Sequence, residues 1–446
     1  MGRKVFISFL GTGNYVNCKY QYPDGEISAP VRFIQEALIN KLCQNWSDDD
    51  RIFILCTEAS QKKNWIDNGH VNPNNPNLVL DEIERIGLES RLKATKYGDI
   101  VSMYNIKEGF DELEVWEIFE NVYSLLQSGD EVYFDVTHAF RSIPMFSTVL
   151  LNYASFMKDI NVHSIHYGAF EKLGTAFEVK RNIPLEKRVA PILNLTNIIR
   201  LHEYTDIASS FISFGRVKKM GDTLKNEKNG MSGVMKNVYG ALESFDNAIQ
   251  ANRIIELKKG AYMTTIQNTR KAVRKQNIPT PIKDILDKIR ERLNEFGFVA
   301  GDNLSNIESA IKWTKHYKML PQAYTLAREY MLTLLCDIFK EYSPFLDNKD
   351  ADKNFREYMS AICSISDEDI AEKNYKYSLK EYEELTERLL SDNKIICLRP
   401  YFSQLGKNRN SVNHGKGDET YKNLESEFDH LYDECINILR NEYITN

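Results

Sequence analysis

Glu131-Val132-Tyr133-Phe134-Asp135-Val136-Thr137-His138-Ala139-Phe140-Arg141 is the stretch whose reading decides the fold. Glu131–Asp135 reads as a strand, and Ser142–Met157 as a strongly apolar, buried helix. The loop between them holds three donors, Thr137, His138 and Arg141, beyond a strand end and before a helix N-terminus. That is an anion-binding arrangement, because amide dipoles and side-chain donors converge there. Asp135 reads as a brace or helix cap.

Working outward, the same alternation runs through residues 1 to about 180. Lys4–Leu10, Arg51–Cys56, Ile100–Tyr104 and Val162–Tyr167 read as strands, and Ala176–Lys180 as a strand closing a hairpin after Gly174. Val31–Cys43 and Asp111–Leu126 have helical spacing, the second with Leu113, Trp116, Ile118, Phe119, Val122 and Leu125 as its stripe. Asn64–Asn77 reads as an exposed excursion. Strands alternating with helices imply parallel pairing through crossovers, hence a Rossmann-like α/β sheet. Ligands of such sheets lie beyond the carboxyl ends of the strands. Gly11-Thr12-Gly13-Asn14 occupies that place after the first strand, and its glycines let amides approach a phosphate closely. A simple tight turn accounts for the same residues. The dinucleotide pattern GxGxxG is absent because position 16 is Val, which disfavours a nucleotide-cofactor oxidoreductase or transferase.

Beyond about residue 185 strand signals fade. Helical patterns cover Asn194–Phe214, Val234–Gln250, Ile254–Val273, Ile282–Phe296, Leu304–Lys318 and Pro321–Tyr342. Lys258, Lys259, Arg270, Lys271, Arg274 and Lys275 make the middle basic, which a solvated helix face explains as well as RNA guidance does. Residues 347–378 read as a charged insertion with one short helix, Leu379–Leu390 as a helix, and Tyr421–Tyr443 as an amphipathic last helix. Just before it stands Arg409-Asn410-Ser411-Val412-Asn413-His414. At about 100° per residue, Asn410 and His414 share a helix face, whereas Arg409 and His414 lie about 140° apart. If they converge, histidine can move protons and arginine can grip a phosphate. A solvated polar turn is the competing reading.

The chain has 446 residues, enough for two or three domains, with 42% hydrophobic and 27% charged residues and a net charge of −6. A broad nucleic-acid surface is excluded, so an RNA site must be a local basic pocket. No membrane span or secretory signal is visible. Seven scattered cysteines without a CxxC pair indicate reduced thiols, a cytoplasmic protein and no zinc site.

The Asp135-x-Thr137-His138-x-x-Arg141 stretch resembles the DxTHG-type motif of CARF domains, the Rossmann-like sensors of CRISPR-associated proteins, and Gly11-Thr12-Gly13 resembles that family's first loop. Ala139 stands where the family often has Gly. The resemblance covers roughly the first 180 residues. It implies a homodimer that binds a cyclic oligoadenylate through Gly11, Thr12, Gly13, Asn14, Thr137, His138, Ala139, Phe140 and Arg141. The helical C-terminal region with Arg409-Asn410-x3-His414 resembles a HEPN ribonuclease domain. The two together resemble the CARF–HEPN effectors of type III CRISPR systems. The organisation implied is a sensor at 1–185, a helical linker domain at 186–300 and a HEPN-like domain at 301–446. The activity implied is metal-independent, cyclic-oligoadenylate-activated cleavage of single-stranded RNA, with Arg409, Asn410 and His414 catalytic and 2′,3′-cyclic phosphate products. Degradation of the activator in the sensor is a further possibility of the family. The competing class is a non-catalytic ligand-sensing regulator or scaffold.

Overall fold

A computed structural model describes residues 2–69, 85–138, 143–218, 230–275, 278–345, 351–414 and 420–440. The chain divides into two compact units, with the boundary between Glu203 and Tyr204.

The first unit is built on seven strands: β1 (Lys4–Leu10), β2 (Lys19–Gln21), β3 (Arg51–Cys56), β4 (Val101–Asn105), β5 (Glu131–Asp135), β6 (Asn161–Gly168) and β7 (Val189–Asn194). Their order is β2-β7-β6-β5-β1-β3-β4. All neighbours run parallel except β6 and β7. β1 is central because it is apolar on both faces: Val5, Phe6, Ile7, Phe9 and Leu10 are all buried. One face packs Phe6, Ile52, Ile54 and Tyr133 against helix α1 (Ile34–Leu42). The other packs Val5, Ile7, Val132 and Phe134 against α2 (Glu112–Leu125) and α3 (Ile143–Lys158). From β1 the chain moves out to β3 and β4, then returns to place β5 on the opposite side of β1. The carboxyl ends of β1 and β5 therefore flank the topological switch point, where such sheets bind ligands.

Several elements differ from the sequence expectation. Ala176–Lys180 is not a strand. Ala176–Asn182 is a helix begun by a capping box, in which Thr175 Oγ1 accepts from the Glu178 amide and Glu178 accepts from the Thr175 amide. The strand that closes the sheet beside β6 is β7, antiparallel to it, so strand structure continues past residue 185. Asn64 and Trp65 are buried rather than part of an exposed excursion, and residues 70–77 lie outside the described residues. α3 is not fully buried: Val149, Tyr153, Phe156 and Met157 face outward. Leu113 and Trp116 of α2 do the same.

Helix α4 (Thr196–Phe214) carries the chain across the boundary, and the described residues of the second unit form helices and connecting turns, with no strand among them. It contains α5 (Gly230–Gln250), α6 (Ala261–Lys275), α7 (Thr280–Glu295), α8 (Ser305–His316), α9 (Leu320–Ile338), α10 (Ala351–Ser364), α11 (Asn393–His414) and α12 (Tyr421–Arg440). α9 is the core helix, with Tyr324, Ala327, Tyr330, Met331 and Leu335 buried. Within the stretch 347–378, read as a charged insertion with one short helix, α10 runs over Ala351–Ser364. Phe355, Tyr358, Met359 and Ile362 are buried at helical spacing. Gly260, at φ +57, splits the helix expected over Ile254–Val273, since a left-handed residue ends the regular ladder. The second compact unit comprises Tyr204–Met220 and Lys228–Asn446.

Candidate functional site

Two groups of residues singled out in the sequence are brought to defined places, one in each unit. In the first, the loops after β1 and β5 meet. A Cβ built on Gly11 would lie 2.6 Å from the Tyr15 hydroxyl and 3.3 Å from His138 Cβ, so the glycine permits the close approach. Tyr15 and His138 face each other at 4.4 Å between ring centroids. Asn64 holds the first loop from beneath, its Nδ2 donating to the carbonyls of Gly11 at 2.8 Å and Gly13 at 3.1 Å. Thr12, Gly13 and Asn14 are exposed beyond that brace. Neither Tyr15 nor Asn64 was singled out by sequence reading, and no motif marks Asn64.

Asp135 is the brace of the second loop. It is fully buried, accepts from Ser8 Oγ at 2.6 Å, and accepts from the amide and hydroxyl of Thr137 at 3.0 and 2.5 Å. Gln35 Nε2 extends the chain by donating to Ser8 Oγ at 3.0 Å. Thr137 Oγ1 also accepts from the Gly168 amide at 2.8 Å, so its hydroxyl is committed to positioning the loop against β6. Burial raises the Asp135 carboxyl, and these hydrogen bonds oppose the rise. Burial pushes the His138 imidazole down to about 4, leaving it neutral at pH 7. His138 therefore offers a hydrogen bond and a ring face, not a positive charge. Burial, with His163 nearby, also takes His166 down to about 4. Ala139, Phe140 and Arg141 lie outside the described residues.

In the second unit α11 remains helical through His414, so Arg409, Asn410 and His414 occupy its last turns. Asn410 and His414 are exposed and four residues apart on one face, and Arg409 is half-buried. The turn is anchored by Asn408, which sequence reading passed over. Asn408 is buried, accepts from Gln404 Nε2 at 2.8 Å, and donates to Glu427 Oε2 at 2.8 Å and the Tyr324 hydroxyl at 3.2 Å. The Tyr324 hydroxyl in turn donates to the Leu424 carbonyl at 2.7 Å. One amide thus joins α9, α11 and α12 one residue before Arg409. Arg409 Nε is sealed from solvent and has no hydrogen-bond partner among the described residues.

Residues 5–171 match the family model of the CARF domain of the CRISPR system endoribonuclease Csx1. The first unit is thus similar to that CARF domain over residues 5–171, a stretch that covers well under half of the chain. A curated relative, the CRISPR-associated protein MJ1674 of Methanocaldococcus jannaschii, is 26% identical over 241 residues, which are 52% of this chain and 34% of the relative. The match thus spans about a third of that relative's length. Among solved structures, Enterococcus italicus Csm6 bound to cyclic hexa-2′-fluoro-hexa-dAMP aligns over 98% of this chain and 94% of its own, at a TM-score of 0.42 and 10% identity. Among the described residues no helix is long and apolar enough to cross a membrane, and none of the cysteines is in a disulfide.

Proposed function

We propose that this chain is a ribonuclease switched on by a cyclic oligoadenylate. The observation that carries the reading is the presence, in one chain, of a CARF-like unit and a helix that ends in Arg409, Asn410 and His414. The ligand would sit over the switch point, against Gly11–Asn14 and Thr137–His138, with Ala139, Phe140 and Arg141 following in the sequence as further candidates. Thr12 and Asn14 supply exposed donors, and neutral His138 supplies a hydrogen bond or a stacking face for adenine.

In the second unit the substrate is single-stranded RNA and the nucleophile is its own 2′-hydroxyl. Attack on phosphorus forms the 2′-O–P bond of a 2′,3′-cyclic phosphate and breaks the bond to the 5′-oxygen, which leaves as a hydroxyl. Arg409 stabilises charge on the phosphorane-like transition state. His414 moves a proton or positions the phosphate, and Asn410 orients His414 or the 2′-hydroxyl. The positions on α11 support a site shared by two copies. Arg409 and His414 do not share a face, and Asn410 and His414 open to solvent, where a second copy can complete the pocket. An outward apolar face on α2 and α3, including Leu113, Trp116, Val149 and Phe156, supports homodimerisation.

The test is RNA cleavage with and without cyclic oligoadenylate, in the wild type and in His414→Ala. Ligand-dependent cleavage that His414→Ala abolishes, with ligand binding intact, is the expected result. The exposure of Asn410 and His414 equally suits surface residues, so a ligand-binding regulator or scaffold is the second reading, and it predicts no cleavage by either form. Degradation of the activator by His138 is disfavoured. Its pKa of about 4 makes it a weak base, and the Thr137 hydroxyl already donates to Asp135. Linear products from His414→Ala incubated with ligand would reverse that view.

A further inference from the structure

Resting on the ribonuclease reading, we propose that Arg328 binds a phosphodiester of the RNA strand next to the one that Arg409 and His414 act on. Arg328 lies on α9, yet its guanidinium reaches the face of α11 that carries Phe402 and Gly406. Its Cζ lies 4.9 Å from the centroid of the Phe402 ring, and its Nε is 3.8 Å from where a Cβ on Gly406 would be. Gly406 and Asn410, four residues apart, share a face, and Arg409, seven residues after Phe402, lies within about 20° of it around the helix, whereas His414 lies about 120° from Phe402. Gly406 and Asn410 are about 6 Å apart along the axis. A strand held at Arg409 that continued past the half-buried Gly406 would meet the Arg328 guanidinium.

The guanidinium is fixed in place. Nη2 donates to Ser360 Oγ at 2.9 Å, and the stacking on Phe402 fixes its plane, so little side-chain entropy remains to be lost on binding. Its charge is poorly balanced. Glu329 comes no closer than 3.8 Å through Oε1, while its Oε2 is taken by Arg356 at 2.7 Å. Arg356 also donates to Thr333 Oγ1 and to the Glu329 carbonyl, which makes it a structural member of the cluster. Burial and the nearby positive charge of Arg409 both work against the charged form of Arg328, while Glu329 favours it. Arg328 and Arg356 share the Glu329 carboxylate, and the nearby Arg409 has its Nε buried without a partner among the described residues. An anion is the ligand that relieves this arrangement, and a phosphodiester matches the planar fork of arginine.

The test uses full-length His414→Ala protein, which binds without cutting, and mixed-sequence single-stranded RNA. Adding Arg328→Gln should weaken binding about 10-fold or more, as for loss of a charged hydrogen bond. It should also flatten the dependence of log affinity on log salt by about 0.7, the share of one phosphate on a single strand. In protein with His414 intact, Arg328→Gln should raise KM and spare kcat. Arg328→Lys should keep the salt slope while losing affinity, and it serves as the test if the glutamine variant does not fold. Unchanged affinity and slope, or a fall in kcat with KM unchanged, overturns the proposal while RNA binding by the parent leaves the ribonuclease reading standing. Absence of RNA binding by the parent and of cleavage by the wild type overturns both.

Discussion

Gly11→Ala is the substitution that most sharply probes the sensor loops. The new methyl group would lie 2.6 Å from the Tyr15 hydroxyl, closer than non-bonded carbon and oxygen approach, and 3.3 Å from His138 Cβ. The ring of Tyr15 cannot simply swing away, because it packs against Phe33 at 5.4 Å and His138 at 4.4 Å between centroids. Overpacking of this kind costs about 1–3 kcal/mol. If the strain is relieved by parting the two loops, cyclic oligoadenylate affinity falls roughly 5- to 100-fold, at about 1.4 kcal/mol per tenfold. Tyr15→Phe removes the clashing oxygen and leaves His138 Cβ as the nearest atom, a contact that a shift of tenths of an ångström relieves. Alone, Tyr15→Phe also removes the hydroxyl that the Gly11 and Gly13 backbone groups bond, at a cost of about 0.5–1.5 kcal/mol. The double variant should therefore bind better than Gly11→Ala, with a coupling of about 1–2 kcal/mol. Calorimetric titration of the four proteins measures it. Strict additivity, or full affinity in Gly11→Ala, would refute the account of how the loops meet.

Two further perturbations follow from the same geometry. Asn408→Ala removes the donor to Glu427 and to the Tyr324 hydroxyl, which keeps its bond to the Leu424 carbonyl, so unfolding of the second unit should become easier by about 2–4 kcal/mol, with cleavage falling in step and ligand binding by the first unit unchanged. Denaturant unfolding reports it, and an unaltered midpoint would remove Asn408 as the anchor. The buried His166 has its pKa depressed from an ordinary 6.5 to about 4, so the unfolded chain binds its proton first. Its contribution is complete above about pH 6.5 and is lost as pH falls toward 4. His166→Gln should flatten the acid side of the stability profile of the first unit, and an unchanged profile would mean that His166 is not buried neutral.

The sheet was readable in the sequence because β1, β3 and β5 are buried on both faces and so appear as short apolar runs between helices. The strand β7 was missed because Val189–Asn194 contains Pro191 and follows a charged stretch, and β2 because three residues carry no pattern. The helix at Ala176–Asn182 was legible after all, since Thr175 and Glu178 form a capping-box spacing that outweighs its apolar residues. The helix α10 hides among charges, but its buried positions keep a helical period. At the sites, Gly11, His138 and Asp135 could be picked out by their place after strands. Asn64 and Asn408 could not, because each acts through one side-chain amide on residues distant in sequence. Arg328 was invisible for a related reason: its partners Ser360, Phe402 and Gly406 come from two other helices.

The central claim is that a cyclic nucleotide bound by the first unit turns on RNA cleavage at the end of α11. Its most direct measurement is cleavage of single-stranded RNA titrated with rings of four and of six adenylates, in the wild type and in His414→Ala. The account predicts that one ring size raises the wild-type rate saturably, that the products end in 2′,3′-cyclic phosphate, and that His414→Ala binds the same ring and cuts nothing. Cleavage that ignores both rings, or that survives His414→Ala, would contradict it.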